Sequence, residues 1–324
     1  METEAIYPLE FSAQLFYRLW GGHQLKTRLG KKCNHPICGE SWEISGLEGN
    51  VSVITNGPHQ GKGLNELIAE YAEKILGHRV IQRFGKKFPL LIKFIDAQEP
   101  LSVQVHPNDA LAQKRHNCWG KSEMWYILSA AKNAALTLGF ISPITRDDFL
   151  NHCQNKTLDS VLKKQKVNKG DVVNIPAGLL HAIGGGILLA EIQQASDVTY
   201  RVYDYDRIDA KKGKPRKLHQ NEAVDAVDFS LGDPLIDYET SENSAVSLVE
   251  SDYFSTHLIH VNGNYSCENA SEDAFSVLIG VEGDVVLSYQ QKTYSIGLGK
   301  TILLPAALGK YCLKGSGKVL VTTV

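Results

Sequence analysis

Two stretches of this chain read as copies of one pattern, and that constrains its fold more than any other feature. Gly170, five residues, Pro176 and Ala177 recur as Gly299, five residues, Pro305 and Ala306. Upstream, Glu123 to Leu128 matches Asp273 to Leu278. Such self-similarity is the mark of one structural unit used twice. The interval from Leu128 to Pro176 exceeds that from Leu278 to Pro305 by roughly 20 residues, close to the length of a helical stretch predicted from Thr145 to about Lys164. The first copy is therefore expected to carry a helical insertion that the second lacks. The same alignment sets Lys310 where His181 stands, so chemistry that needs an imidazole there belongs to the first copy alone.

The repeated unit reads as β-structure. Phe88 to His106 has a strand-like pattern, broken at Glu99-Pro100. Glu123 to Leu128, Ala134 to Phe140, Val172 to Ile175 and Ile187 to Ile192 read as further strands, and the first sixty residues as mixed strands and turns. One helix is plain: Leu64, Leu67, Ile68, Tyr71 and Ile75 fall on a single face, and Gly77 suits its end. A second is expected from Leu218 to Val227. The basic stretch Lys211 to Lys217 before it reads as a solvated connection. Asp228 to Glu242 is turn-rich and marks a boundary, giving a first domain over residues 1–235 and a smaller all-β one over 236–324.

Composition narrows the partners. With 34 Lys and Arg against 36 Asp and Glu, the formal charge of −2 makes no case for nucleic acid or an anionic membrane. A small anionic substrate needs only a few local cations. Ile175 to Ala190, the most apolar stretch, is too short to span a bilayer and contains Pro176, His181 and three glycines. The acidic start, with Glu2, Glu4 and Glu10, lacks the basic-then-apolar order of a signal peptide. Six scattered cysteines predict a reduced, cytoplasmic protein, with Cys33 and Cys38 as two thiols in a loop. A zinc site on Cys33, His35 and Cys38 lacks a fourth ligand nearby. A monomer or weak homo-oligomer is expected.

One constellation carries chemistry. On a strand, Gln104 and His106 point to one face. Glu123 opens the next apolar strand, where an inward carboxylate needs a partner. His181 follows Gly170, Pro176 and Gly178 in the spacing that resembles the second motif of cupin jelly rolls, a turn that aims a histidine at a metal in the barrel mouth. Gln, His, Glu and His together offer oxygen and nitrogen donors suited to Zn²⁺ or another first-row divalent ion. Gly184-Gly185-Gly186 lacks the rest of a phosphate-loop pattern and reads as a tight strand connection. Asp204 and Asp206 read as a solvated strand edge.

The segment Pro89 to Asp109, with Lys93, Pro100, Ser102, Gln104, His106 and Pro107, resembles type I mannose-6-phosphate isomerases of the short bacterial form. So do Gly120-Lys121-Ser122-Glu123-Met124-Trp125, Pro176 to His181, and Glu191 to Arg201. The resemblance spans most of Tyr7 to Phe229. It implies a mainly β fold of two cupin-like jelly rolls, the first with helical insertions, and an enzyme interconverting mannose 6-phosphate and fructose 6-phosphate. It implies one Zn²⁺ per chain on Gln104, His106, Glu123 and His181, a catalytic Arg201, and Lys121 as a cleft cation. Ser102 and Arg207 become phosphate contacts. Two positions depart from longer relatives: Ile183 stands for a tyrosine and Gly120 for a histidine.

Aldose–ketose isomerisation moves a proton between neighbouring carbons, so a base is required. Glu191, inside the apolar run Ile187 to Ile192, is the candidate, with burial expected to raise its pKa. Two other functions fit the same donor set: an Fe²⁺ cupin oxygenase and a non-catalytic sugar-phosphate sensor. Lys121, Arg201 and Arg207 favour a phosphorylated sugar as partner.

Overall fold

A computed structural model describes residues 6–209, 213–230, 232–268 and 273–324. Among these residues the strands of the first two-thirds are β1 (Gln14–Phe16), β2 (Glu40–Ser45), β3 (Leu90–Ala97), β4 (Val103–Val105), β5 (Glu123–Ala130) and β6 (Ala135–Phe140). They continue as β7 (Leu162–Lys166), β8 (Val172–Ile175), β9 (His181–Ile183), β10 (Ile187–Gln194) and β11 (Tyr200–Tyr203). A short hairpin, β12 (Ile208–Asp209) and β13 (Lys214–Pro215), and β14 (Leu235–Ile236) follow. A seven-stranded sheet runs β1-β2-β3-β10-β5-β8-β14, and a five-stranded sheet runs β11-β4-β9-β6-β7. This is the double-sheet barrel expected of a cupin.

Alternation along the strands builds two cores. One face of the seven-stranded sheet sends Trp125, Ile127, Val173, Ile175 and Leu189 into the barrel. The other sends Ile92, Phe94, Met124, Tyr126 and Ile192 outward, against the helix α2 (Leu64–Leu76) and the C-terminal sheet. Burial on both faces explains why β3, β5 and β10 read as nearly continuous apolar runs. α2 ends as expected at Gly77, whose φ is 88°. A Cβ there would also collide with the Asp273 carbonyl, so the helix stop doubles as a contact with the C-terminal sheet.

The remaining strands, β15 (Ser244–Glu250), β16 (Ser255–Glu268), β17 (Ser276–Tyr289), β18 (Lys292–Ser295), β19 (Thr301–Leu304) and β20 (Lys310–Thr323), form one sheet ordered β15-β16-β20-β17-β18, with β19 on β17. Its interior is filled by Val261, Leu278, Val285, Leu287, Ile302 and Leu313. The repeat is real in the ladder, with a shifted register. Ile175, before Pro176, pairs with Glu123, whereas Leu304, before Pro305, pairs with Ser276. Glu123 is thus matched by Ser276, and not by Asp273 as the sequence alignment had it. His181 is fully buried, while Lys310 is exposed.

Several local expectations change. The insertion is helical only over Arg146–Gln154, opened by the Thr145–Asp148 capping box; a 3-10 turn at Leu158–Val161 then leads into β7. The helix expected from Leu218 spans only Gln220–Val224. Two helices were not anticipated: His78–Phe84, whose apolar face of Val80, Ile81 and Phe84 spans barely two turns, and Asp109–His116, in which Ala112 alone is buried. Cys33 and Cys38 form a disulfide where two thiols were expected; their Cα atoms lie 6.5 Å apart, within bridging reach. Asp204 is buried, not a solvated edge, because arginines share it. The three glycines do form the tight turn between β9 and β10. Of the basic stretch, Lys211 and Lys212 lie outside the described residues. Among the described residues no helix is long and apolar enough to cross a membrane.

Candidate functional site

Three adjacent strands place one row of donors. Arg201 on β11 lies opposite Gln104 on β4, which lies opposite His181 on β9. Directly opposed residues share a face of the sheet, so all three point the same way. His106, just past β4, is two residues beyond Gln104. Glu123 on the facing sheet comes to meet them. Donor atoms of His106, Glu123 and His181 lie within 4.8 Å of one another, and all three side chains are buried.

Backbone carbonyls fix both imidazoles. His106 Nδ1 lies 2.9 Å from the Val198 carbonyl, and His181 Nδ1 lies 2.8 Å from that of Leu179. A carbonyl only accepts, so each Nδ1 carries the hydrogen and each Nε2 offers a lone pair. Those Nε2 atoms face Glu123, each 3.6 Å from one carboxylate oxygen. Burial holds His181 down to about 4 and His106 well below its usual value, so both rings are neutral ligands at neutral pH. Gln104 Nε2 stands 3.4 Å from His181 Nε2; half a rotation of the amide would present its oxygen instead.

Glu123 tests whether this set fits a cation. Among the described residues no well-aligned hydrogen bond reaches either of its buried oxygens, and the close cation beside them is the Lys121 ammonium. A buried carboxylate so sparsely partnered requires an explanation. Burial, then the nearby Glu191 charge, push its carboxyl up to about 7, although Lys121 pulls the other way. The Lys121 ammonium lies 2.7 Å from Glu123 Oε2 and 3.1 Å from His106 Nε2. A positive charge already faces the lone pairs that a metal would use. Two neutral imidazoles, a carboxylate and an amide oxygen fit a first-row divalent ion.

Gln104 and Lys121 connect this cluster to a cavity of about 540 Å³, which Ser102, Glu191 and Arg201 also line. A second row crosses the other sheet: Trp42, Lys93, Glu191 and Trp125 stand opposite one another on β2, β3, β10 and β5. Lys93 Nζ donates to Glu191 Oε1 at 3.0 Å and to Gln193 Oε1 at 2.6 Å, and Trp125 Nε1 donates to Glu191 Oε2 at 3.0 Å. Burial alone would raise the Glu191 pKa, as the sequence suggested, but Lys93 and Lys121 outweigh it and hold the carboxyl below its usual range. Glu191 is therefore an ionised carboxylate with both oxygens engaged. Beside it, Arg18 holds Glu40 with two hydrogen bonds of 2.9 Å. Burial opposes the Glu40 charge, yet Lys93 and Arg18 bring its pKa down to about 2.

Arg207 is not among the residues that line the cavity. Its Nε and Nη2 bond Asp204, and its Nη1 bonds the Pro100 carbonyl. Arg216 and His219 do line the cavity, and neither was singled out from the sequence. Arg216 was hidden within a basic run that resembled a surface loop. Lys93 had a signal: a lone cation inside the apolar run Leu90 to Ile95. Ile183 lines the cavity as an apolar wall. Gly120 is enforced by packing, since a Cβ there would meet Asp109 N at 2.6 Å and Asn108 C at 2.7 Å. The histidine of longer relatives has no room on this backbone.

Comparison with known proteins shows the family. Residues 9–133 match the family described as phosphomannose isomerase type I, catalytic domain, and residues 244–324 match mannose-6-phosphate isomerase, cupin domain. A mannose-6-phosphate isomerase of Bacillus subtilis is 35% identical over 99% of this chain and 99% of its own length. One from Streptococcus mutans is 31% identical over 97% of each chain. The crystal structure of a mannose 6-phosphate isomerase from Bacillus subtilis superposes with a TM-score of 0.89 at 33% identity, covering 98% of this chain and 99% of that one.

Proposed function

This chain belongs to the type I mannose-6-phosphate isomerases, a family of metal-dependent enzymes, and from that premise we propose how its own residues interconvert mannose 6-phosphate and fructose 6-phosphate. Gln104, His106, Glu123 and His181 hold one Zn²⁺. The observation that carries this is the buried His106–Glu123–His181 set, whose donor atoms converge within 4.8 Å and whose carboxylate has only the Lys121 ammonium close beside it. When bound, the ion supplies a Lewis acid for the oxygens of the two carbons that exchange a proton.

The protein's groups do the rest. Glu191 is the base that takes the proton from C2 of the open-chain aldose and returns it to C1. Its ionised state, secured by Lys93 and Lys121, suits it to accept, and Lys93 with Trp125 fixes its aim. Lys121, whose charge is reinforced by Glu123 and Glu191 against the cost of burial, donates to a substrate oxygen at the cavity wall. Arg201, set by Ser102 Oγ at 3.3 Å and the Lys217 carbonyl at 3.0 Å, supplies positive charge to the substrate's anionic groups, and Ser102 adds a hydroxyl contact.

The catalytic half runs to Ile236, one residue past the expected boundary, because β14 pairs with β8 in the first sheet, and the sheet from Ser244 onward forms a half without metal. Ser276 in the place of Glu123, exposed Lys310 in the place of His181, and an apolar interior support that division. A small phosphorylated sugar as substrate agrees with the formal charge of −2, which makes no case for nucleic acid or an anionic membrane, and the chain is read as a cytoplasmic monomer or weak homo-oligomer. Neither a sensor nor an iron oxygenase is favoured by the relatives. The test is turnover: purified protein should convert mannose 6-phosphate to fructose 6-phosphate, lose activity with a chelator and regain it with Zn²⁺. Tight binding of the sugar phosphate without turnover, in metal-replete protein, would refute the enzymatic reading.

A further inference from the structure

Asp204 is 5% exposed and is shared by two arginines that spend their donors differently. Arg207 uses Nε, Nη1 and Nη2 on protein oxygens and does not line the cavity. Arg216 gives Nε, at 2.7 Å, and Nη2 to the two Asp204 oxygens. Its Nη1 bonds nothing among the described residues, and the side chain lines the cavity. Arg201 is built the same way. Nε and Nη1 are spent on Ser102 and the Lys217 carbonyl, and Nη2 bonds nothing among the described residues. Each guanidinium is thus held through two of its nitrogens, with the third left over on a side chain that lines the cavity. His219 lines the same cavity, and its Nδ1 accepts the Arg201 backbone N–H at 3.2 Å. As a neutral ring, it therefore carries its hydrogen on Nε2 and is a donor.

Charge along the cavity is uneven. Towards the metal cluster, Arg18 faces Glu40, Lys93 faces Glu191 and Lys121 faces Glu123, and Asp197 adds a further carboxylate, so that end carries no surplus of cations. At the other end, Arg201, Arg207 and Arg216 surround Asp204, with Asp209 as the further carboxylate on the wall. The surplus of positive charge sits there. Two pre-positioned guanidinium groups, each with one unspent nitrogen, and an imidazole N–H suit a tetrahedral dianion, which needs several converging donors.

We infer that Arg216, acting with Arg201 and His219, grips the phosphate of the sugar phosphate, and that Arg207 braces Asp204 without touching substrate. The inference rests on the reading of the cavity as a sugar-phosphate site, and it fixes the substrate's direction. The phosphate lies at the Arg201–Arg216 end, and C1 and C2 lie at the Gln104–Lys121 end.

The experiment compares R216Q and R207Q in metal-loaded, full-length protein, with mannose 6-phosphate as substrate and inorganic phosphate as competitor. Losing one charge-assisted contact should raise KM in R216Q by roughly 10- to 100-fold and weaken phosphate inhibition in parallel. Its kcat should stay within about threefold of wild type and its metal content unchanged. R207Q should change KM by less than about threefold. R216K, which keeps the charge and loses the fork, should fall between wild type and R216Q, and it serves if R216Q does not fold. Wild-type KM and phosphate inhibition in R216Q or R216K, or a larger loss in R207Q, would overturn the assignment. A wild-type protein that binds inorganic phosphate through Arg216 but never turns over mannose 6-phosphate would overturn the isomerase reading instead.

Discussion

Lys93 holds the proposed base in place, and removing it should be costly in a way that a second mutation relieves. Its ammonium and the Glu191 carboxylate are 5% and 4% exposed, 3.0 Å apart, with Gln193 Oε1 2.6 Å away and the Trp42 ring 5.1 Å below. Lys93→Met leaves a carboxylate buried without its main countercharge. Breaking a buried pair from one side typically costs about 3–5 kcal/mol. Glu191→Gln alone strands the ammonium instead, at a similar cost of roughly 3 kcal/mol or less, because Gln193 still accepts from it. The double variant strands neither charge, and glutamine can still accept from Trp125 Nε1. The two single costs should therefore exceed the double cost by about 2 kcal/mol or more. Urea unfolding of the metal-loaded protein, followed by tryptophan fluorescence, measures all four species. If the double variant equals the sum of the singles within about 0.5 kcal/mol, the row from Trp42 to Trp125 is not the coupled unit described.

Three further expectations concern parts away from the metal. Glu40, held at about 2 against an ordinary 4.5, contributes stability that is complete above about pH 4.5 and lost as pH falls towards 2. That is about 3 kcal/mol, and Glu40→Gln should flatten the pH dependence of unfolding in that window. An unchanged slope would contradict it. Gly120→Ala should lower Tm, at a cost of roughly 1–3 kcal/mol, because the new methyl meets backbone that cannot give way. A wild-type Tm would show that the loop has slack. Lys310→Ala should leave metal content at the wild-type value, and a fall would mean that the C-terminal sheet shares the site.

The meeting of Gln104, His106, Glu123 and His181 was legible because their spacing reflects strand geometry. Gln104 and His106 share a face by simple alternation, and the turn after Pro176 delivers His181. The helix at Leu64 and the Thr145 cap were legible for the same reason: each is a local pattern with a local cause. What stayed hidden depends on pairing between distant segments. Glu191 could be seen to be buried, but not that Lys93 stands opposite it, so the direction of its pKa shift was misjudged. Arg216 lies in a run of cations, and nothing in that run separates the one that Asp204 pulls to the cavity from its solvated neighbours. The true counterpart of Glu123 is Ser276, three residues past the aligned Asp273, because ladder register is set by the whole sheet.

The central claim is that one divalent ion, held by Gln104, His106, Glu123 and His181, sits at the floor of a sugar-phosphate cavity. Elemental analysis alongside the isomerase assay, for wild type and His181→Ala, tests it most directly. The account predicts one zinc per wild-type chain, and in the variant the loss of both metal and turnover with the folded spectrum retained. Full metal content in His181→Ala, or full turnover by metal-free wild type, would contradict it.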